Sequence, residues 1–248
     1  MDPASHTPEA VPVHSSYWSL SRQPLASLLF ISPILVAYEA GVIALGPHAA
    51  RNGADVWLRC LLDVIGFGQY FLLPVLTISV LLGWHYTTHQ PWRIPRGIFW
   101  GMAVESVLLA FCLRLILQLQ GLLLQVAPGG TVAPGPVQHL VQLLRTRVGF
   151  LGAGIYEELL FRVILLSLLA WALRGCRLPR VARLLLAVVA SSLLFSAAHY
   201  VGGRESILWF SFLFRFIAGV FFAALFLYRG FGIAAGAHAG YDILVGLL

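Results

Sequence analysis

The sequence contains no lysine and few charged residues of any kind. Its 16 basic residues are all arginine, and charged residues make up 10% of the 248 positions, against about 25% in soluble domains. Mean hydropathy is +0.86, and apolar runs of about 20 residues, long enough to cross a bilayer, recur along the chain. This composition excludes a soluble globular protein. The net charge of +6 is spread over short loops and indicates membrane topology rather than nucleic-acid binding.

The sequence also lacks the short motifs of several hydrolase classes. Cys60, Cys112 and Cys176 are far apart, form no CxxC pair and show no zinc-type spacing. An HExxH motif is absent, and no serine stands in a G-x-S-x-G setting. These absences give no support to a serine or cysteine nucleophile and turn attention to carboxylates and histidines.

The apolar runs predict an all-α, polytopic transmembrane helical bundle of about seven to eight helices. We divide the chain into a flexible polar tail (1–16), N-terminal transmembrane helices with connecting loops (17–148) and a C-terminal core (149–248). Arginines in the loops after the second, fourth and sixth spans place those loops and the N-terminus inside. Arg145 and Arg147 oppose this orientation. Under it, Glu157 lies roughly 12 Å below the outer face, at about 1.5 Å per residue.

The sequence EELLFR, residues 157–162, interrupts an apolar run from Phe150 to Leu173. A charge at the bilayer centre costs about 3 kcal/mol on insertion scales, so these residues need partners or a function. Glu158 and Arg162 lie four apart on one helical face, with the acid first, which predicts a structural ion pair. Glu157 lies about 100° away and has no local partner. An unpaired carboxylate in a dry site is typical of a general base.

Two other apolar runs carry ionisable residues that helical spacing brings onto one face. Phe195 and His199 are four apart in the fifth span, and His238 and Asp242 are four apart in the last. Because neighbouring spans are antiparallel, we expect His199 at the membrane level of Glu157. Each histidine taken singly is more often a hydrogen-bonded structural residue, but packing alone does not readily explain the whole set.

The set is chemically coherent for peptide-bond hydrolysis, which needs an activated water and donors for the oxyanion. Glu157 and His199 could hold and deprotonate the water, while His238 with Asp242 could direct a donor at the oxyanion. The same Glu157, His199 and His238 also match the two-His-one-carboxylate pattern of catalytic zinc. No cofactor is therefore certain, and a zinc site of these three residues stays open.

Glu157-Glu158-x-x-x-Arg162, Phe195-x-x-x-His199 and His238-x-x-x-Asp242 occur in that order. They resemble the motifs of the type II CAAX-prenyl endopeptidase and bacteriocin-processing family of intramembrane proteases, over about residues 149–248. The resemblance implies that these residues form a catalytic protease core, with Glu157 activating water, His199 binding it and His238 in the oxyanion site. The family's third motif often ends in Asn. Here it ends in Asp242, which donates a hydrogen bond only when protonated and could instead orient His238.

The resemblance implies an intramembrane endopeptidase that acts on a membrane-associated protein or peptide within the lipid bilayer, and no nucleic-acid partner. Members of the family have been described both as metalloproteases and as metal-free glutamate proteases.

The all-arginine usage and compact loops favour a bacterial cytoplasmic membrane, and hence C-terminal anchors or bacteriocin-type peptides as substrates. Two other functions remain: a non-catalytic chaperone or immunity factor with the same fold, and a proton-coupled transporter. The sequence lacks the inverted-repeat symmetry that favours a transporter.

Overall fold

The structure is a computed structural model that describes residues 16–46, 49, 51–64, 66–67, 72–124, 146–201 and 208–247. Every regular element within these residues is a helix, which confirms the all-α transmembrane bundle. The helices are α1 (Tyr17–Ser21), α2 (Pro24–Leu45), α3 (Gly53–Val64), α4 (Leu72–Thr87), α5 (Ile98–Leu124), α6 (146–172), α7 (Arg180–Ala198), α8 (Trp209–Arg229) and α9 (Phe231–Leu247). The predicted tail lies outside the described residues except for Ser16, whose hydroxyl caps α1.

Four of these helices, α2, α5, α7 and α8, are individually long and apolar enough to cross a membrane. Helix α4 is a shorter apolar helix. Large apolar side chains are exposed on the outside of the bundle, as on α5, where Leu122 is 76% exposed. In a bilayer, lipid acyl chains solvate such a surface, and the backbone hydrogen bonds are made within each helix. The protein is therefore an integral membrane protein.

Helices α5 and α7 depart from the spans that their apolar runs predict, Gly97–Leu119 and Leu184–Val201. Helix α7 begins at Arg180 rather than Leu184, because Pro179 occupies its N-cap position and marks the end of the loop. Helix α5 continues to Leu124 rather than ending at Leu119, since polar Gln118 and Gln120 do not break a helix in this setting. Neither difference moves a residue of the acidic stretch or of the histidine motifs.

Helix α9 is central and packs against α2, α5, α6 and α8. Small residues make this possible, because they let helix backbones approach closely. A methyl group added at Gly236 would lie 2.7 Å from the Ser106 hydroxyl of α5, and one at Gly154 would lie 2.7 Å from the backbone nitrogen of Ala239. The residues of α9 are thus held directly against the acidic stretch of α6.

The N-terminal helices are joined to the C-terminal ones by buried polar contacts. Asp55 of α3 is fully buried and accepts hydrogen bonds from Tyr38 and from the guanidinium groups of Arg51 and Arg59. Tyr156, the residue before Glu157, donates a hydrogen bond of 2.7 Å to Glu39 of α2. The main core cluster draws on α2, α3, α4, α6 and α9 together. Helix α6 runs through positions 148 and 149 without a break, so the two parts of the chain share one core.

Candidate active site

The acidic stretch lies in a part of α6 that is wound as a π-helix, over Ala153–Glu157 and Leu159–Leu166. Ordinary α-helical turns precede and follow it, the latter over Ser167–Ala172. Turns with i→i+5 hydrogen bonds are rare and occur frequently at functional sites. The widened turns change the side-chain directions that an ideal α-helix would give. Sequence periodicity did not predict this, because an apolar run with charged insertions reads the same for either winding.

Glu157 lies at the meeting point of the two histidine motifs. Its Oε2 is 3.8 Å from Nε2 of His199 and 3.8 Å from Nε2 of His238. The same oxygen is buried and has no hydrogen-bond partner among the described residues. Buried carboxylate oxygens are normally hydrogen-bonded. The structure therefore brings the three residues together and leaves one oxygen of Glu157 available for a ligand or water.

His199 has its tautomer fixed by the end of its own helix. It is the C-cap residue of α7, and its Nδ1 lies 2.9 Å from the carbonyl oxygen of Phe195. Because a carbonyl oxygen only accepts hydrogen bonds, Nδ1 carries the hydrogen. Nε2 of the neutral ring is then an acceptor, and it is the nitrogen nearer to Glu157.

Glu158 has two partners, one of which the sequence did not indicate. Its Oε2 pairs with Nε of Arg162 at 3.2 Å, as the i,i+4 spacing predicts. Its Oε1 accepts a hydrogen bond of 2.8 Å from Nδ1 of His238. Residues 80 positions apart give no periodic signal of such a contact. Glu158 therefore also orients the imidazole of His238, besides forming the expected ion pair.

Arg162 is almost completely buried, with 1% of its side chain exposed. Its guanidinium lies 4.4 Å from the centre of the Phe195 ring and donates from Nη2 to the carbonyl oxygen of Gly219 at 3.3 Å. These contacts tie α6 to α7 and α8. Phe195 thus supports the cation in addition to packing against its neighbours.

Asp242 lies on the cavity side of His238. Its Oδ2 is 3.7 Å from Nε2 of His238, which is beyond a direct hydrogen bond, and its side chain is 20% exposed. The ring of His238 also stacks on that of Phe222 at 4.3 Å and 12°. The imidazole is therefore held by stacking and by Glu158, with Asp242 as a nearby negative charge.

A cavity of about 870 Å³ opens onto these residues. It falls in the range of ligand-binding sites, roughly 300–1,000 Å³. Its floor carries Glu157, His199, His238 and Asp242, and its walls include aromatic side chains of α6, α7, α8 and α9. Towards the ends of the helices it is lined by Arg51, Asn52, Thr146, Ser211 and Arg215.

A metal ion needs several donor side chains within reach of one point. Within the described residues, no three or more His, Cys, Asp and Glu side chains are grouped so that they could hold a metal ion. A ligand set of Glu157, His199 and His238 therefore stays a prediction from the sequence.

The fold and the site define a helical membrane protein with carboxylates and imidazoles gathered at the floor of a cavity within the bundle. Residues 139–244 match the model of the type II CAAX prenyl endopeptidase Rce1-like family, so this part of the chain is similar to that family. The match includes Glu157, Glu158, Arg162, His199, His238 and Asp242, and it indicates a CAAX-type protease fold. No curated protein and no solved structure matches the chain.

Proposed function

We propose that the protein is an intramembrane endopeptidase that cleaves a peptide bond of a membrane-associated protein or peptide. The observation that supports this most is a pair of facing acceptors, Oε2 of Glu157 and Nε2 of His199, 3.8 Å apart. Neither can donate to the other. A water that donates one hydrogen to each satisfies both, and its lone pairs are then free to attack a carbonyl carbon.

In this mechanism Glu157 is the general base. As the water oxygen bonds to the scissile carbonyl carbon, its proton passes to Glu157, which gives an oxyanion on the former carbonyl oxygen. When that oxyanion collapses, the carbon–nitrogen bond breaks and protonated Glu157 delivers the proton to the leaving amine. The water supplies the new carboxyl oxygen, and Glu157 returns to its starting state.

His238 is assigned to the oxyanion. Glu158 accepts from its Nδ1, so Nε2 points to the Glu157 side of the cavity, where it is 3.8 Å from Oε2. As an imidazolium it donates from Nε2 to the oxyanion. Asp242 and the two glutamates are close enough to balance that charge, and we assign Asp242 to orienting His238 rather than to donating.

Phe150, Phe195 and Phe214 are among the residues that line the cavity, and they suit apolar side chains of a peptide substrate. The cavity reaches the end of the bundle that the arginine distribution assigns to the outside. In a bacterial cytoplasmic membrane this favours a C-terminal membrane anchor or a bacteriocin-type peptide as substrate. Nucleic acid has no part in this proposal.

The direct test compares the C-termini of membrane proteins in cells with and without this protein. The expected result is a set of peptides cut within or beside an apolar segment only when the protein is present. A synthetic peptide of that sequence is then offered to purified protein in detergent, with and without a chelator. Unchanged termini would favour a non-catalytic chaperone or immunity factor. Loss of cleavage on chelation with recovery on adding zinc would make Glu157, His199 and His238 metal ligands.

A further inference from the structure

A second groove lies at the end of the bundle opposite to the active-site cavity. It has a volume of about 490 Å³ and is lined by residues of α1, the start of α2 and the end of α4, including Trp18, Arg22, Gln23 and Trp84. Helix α2 has 22 residues, roughly 33 Å at about 1.5 Å per residue. The groove therefore lies at one face of the membrane and the cavity mouth at the other. The proposed proteolysis makes no use of it.

The charge of the groove favours an anion. Among the described residues that line it, Arg22 is a cation and none is a carboxylate. Nη2 of Arg22 donates to the carbonyl oxygen of Leu227 at 3.3 Å, which holds the guanidinium beside the groove. Glu105, which accepts a hydrogen bond from Tyr17 of α1, is already paired with Arg229 at 2.5 and 2.7 Å. It therefore does not cancel the charge of Arg22.

Gln23 supplies a second, independent indication of a ligand. It is 5% exposed, and its Oε1 has no hydrogen-bond partner among the described residues. It occupies the N-cap position of α2 without capping the first turn, and Pro24 follows it. The dipole of α2 also favours a negative charge near this end of the helix. The unpartnered Oε1, by contrast, requires a hydrogen-bond donor.

The walls of the groove place it at the membrane interface. Trp18 is 61% exposed, and the guanidinium of Arg229 lies 3.7 Å from the centre of one of its rings, which holds this wall in position. Trp84 lies across from it at the end of an apolar helix. Tryptophan is enriched at headgroup depth in membranes. A molecule that occupies this groove therefore sits level with lipid headgroups.

We propose that this groove binds the headgroup of a phospholipid that carries its own hydrogen-bond donor, such as ethanolamine or glycerol. The phosphate lies against Arg22 at the N-terminal end of α2, while the ammonium or hydroxyl group donates to Oε1 of Gln23. The acyl chains extend along the apolar surfaces of α2 and α4. This site is separate from the active site, and its occupancy does not depend on the proteolytic assignment.

The first measurement compares two zwitterionic lipids on the full-length protein in detergent, by native mass spectrometry. Phosphatidylethanolamine and phosphatidylcholine carry the same phosphate, but the choline group has no N–H to donate. Because the ammonium of phosphatidylethanolamine is charged and such a hydrogen bond contributes about 1.5 kcal/mol or more, phosphatidylethanolamine is expected to bind at least about tenfold more tightly. Equal affinity for the two lipids would overturn the assignment of Gln23.

The second measurement uses Arg22→Gln, with Arg177→Gln as its control. Both arginines are exposed and lie at the same end of the bundle, but Arg177 is outside the groove. Arg22→Gln is expected to weaken phosphatidylethanolamine binding about tenfold, the usual size for a hydrogen bond to a charged group, and Arg177→Gln to leave it unchanged. Equal loss in both variants would mean non-specific attraction. Competition by inorganic phosphate at the same concentration as the lipid would mean a free-phosphate site. Either result contradicts the proposal.

Discussion

At the scale of single residues, two adjacent glutamates have different environments. Oε2 of Glu157 has no hydrogen-bond partner among the described residues, whereas Glu158 forms an ion pair with Arg162 and accepts a hydrogen bond from His238. Glu157→Gln keeps the size of the side chain but removes the base, so peptide cleavage is expected to fall at least about 10²-fold. The melting temperature is expected to change little. Cleavage by purified protein in detergent, measured beside thermal unfolding, tests both.

The matched control for that prediction is Glu158→Gln. It is expected to lower the melting temperature clearly, because it weakens the pair with Arg162 and the hydrogen bond from His238. Its effect on cleavage should be smaller than that of Glu157→Gln. A Glu157→Gln protein that cuts at the normal rate would contradict the assignment of the base.

Arg162 is predicted to be needed for folding rather than for chemistry. Replacing it with alanine leaves Glu158 as a buried acid without its cation, which costs about 3 kcal/mol or more. It also removes the bond to Gly219 and the contact with Phe195. The yield of folded protein, measured by size-exclusion chromatography after extraction, is expected to drop sharply. Arg177→Ala, in the exposed loop after α6, is the control and should accumulate normally. Normal yield and full activity of Arg162→Ala would refute this role.

At the scale of helices, the contact of α6 with α9 sets the geometry of the site. A methyl group at Gly154 would lie 2.7 Å from the backbone nitrogen of Ala239 and 2.8 Å from the carbonyl oxygen of Ala235. Backbone atoms cannot yield as a flexible side chain does, so Gly154→Ala is expected to push the helices apart and destabilise the protein by about 1–3 kcal/mol.

A glycine-to-alanine substitution at Gly83 separates this packing effect from the effect of helix propensity. A methyl group at Gly83 of α4 would meet nothing within 4 Å, so Gly83→Ala should leave stability equal or raise it by up to about 1 kcal/mol. Thermal unfolding and cleavage of both variants are the measurements. Cleavage should fall for Gly154→Ala alone, because the hydrogen bond from His238 to Glu158 crosses this interface. Equal behaviour of the two variants would contradict the packing argument.

At this scale the sequence predicts contacts within one helix more readily than contacts between helices. The i,i+4 spacing predicted the Glu158–Arg162 pair, since one helix carries both residues. It could not predict that His238 bonds to Glu158, because that contact depends on how α9 packs on α6. The π-helical winding of α6 was also not predictable, as apolar residues follow either winding equally well. Convergence of Glu157 with His199 was predictable only because antiparallel neighbours place helix ends at known levels.

At the scale of the whole molecule, the order of the helices fixes which residues share a membrane face. Ser211 at the start of α8 lines the active-site cavity, together with Thr146 at the start of α6. Cys176 lies beyond the other end of α6, in a loop rich in arginine, and is exposed. The positive-inside rule places that loop inside and the cavity mouth outside. The orientation inferred from charge therefore predicts that Ser211 is accessible from the outside and Cys176 from the inside.

This orientation can be tested with a maleimide that does not cross membranes. In a protein with Cys60→Ser and Cys112→Ser, Cys176 is the remaining native thiol, and Ser211→Cys adds one at the cavity. In intact cells the reagent is expected to modify position 211 and not Cys176, and after permeabilisation it should modify both. The reverse pattern would place the cavity on the cytoplasmic face. An outward-facing site could then no longer be used to favour anchors or peptides exposed at the cell surface as substrates.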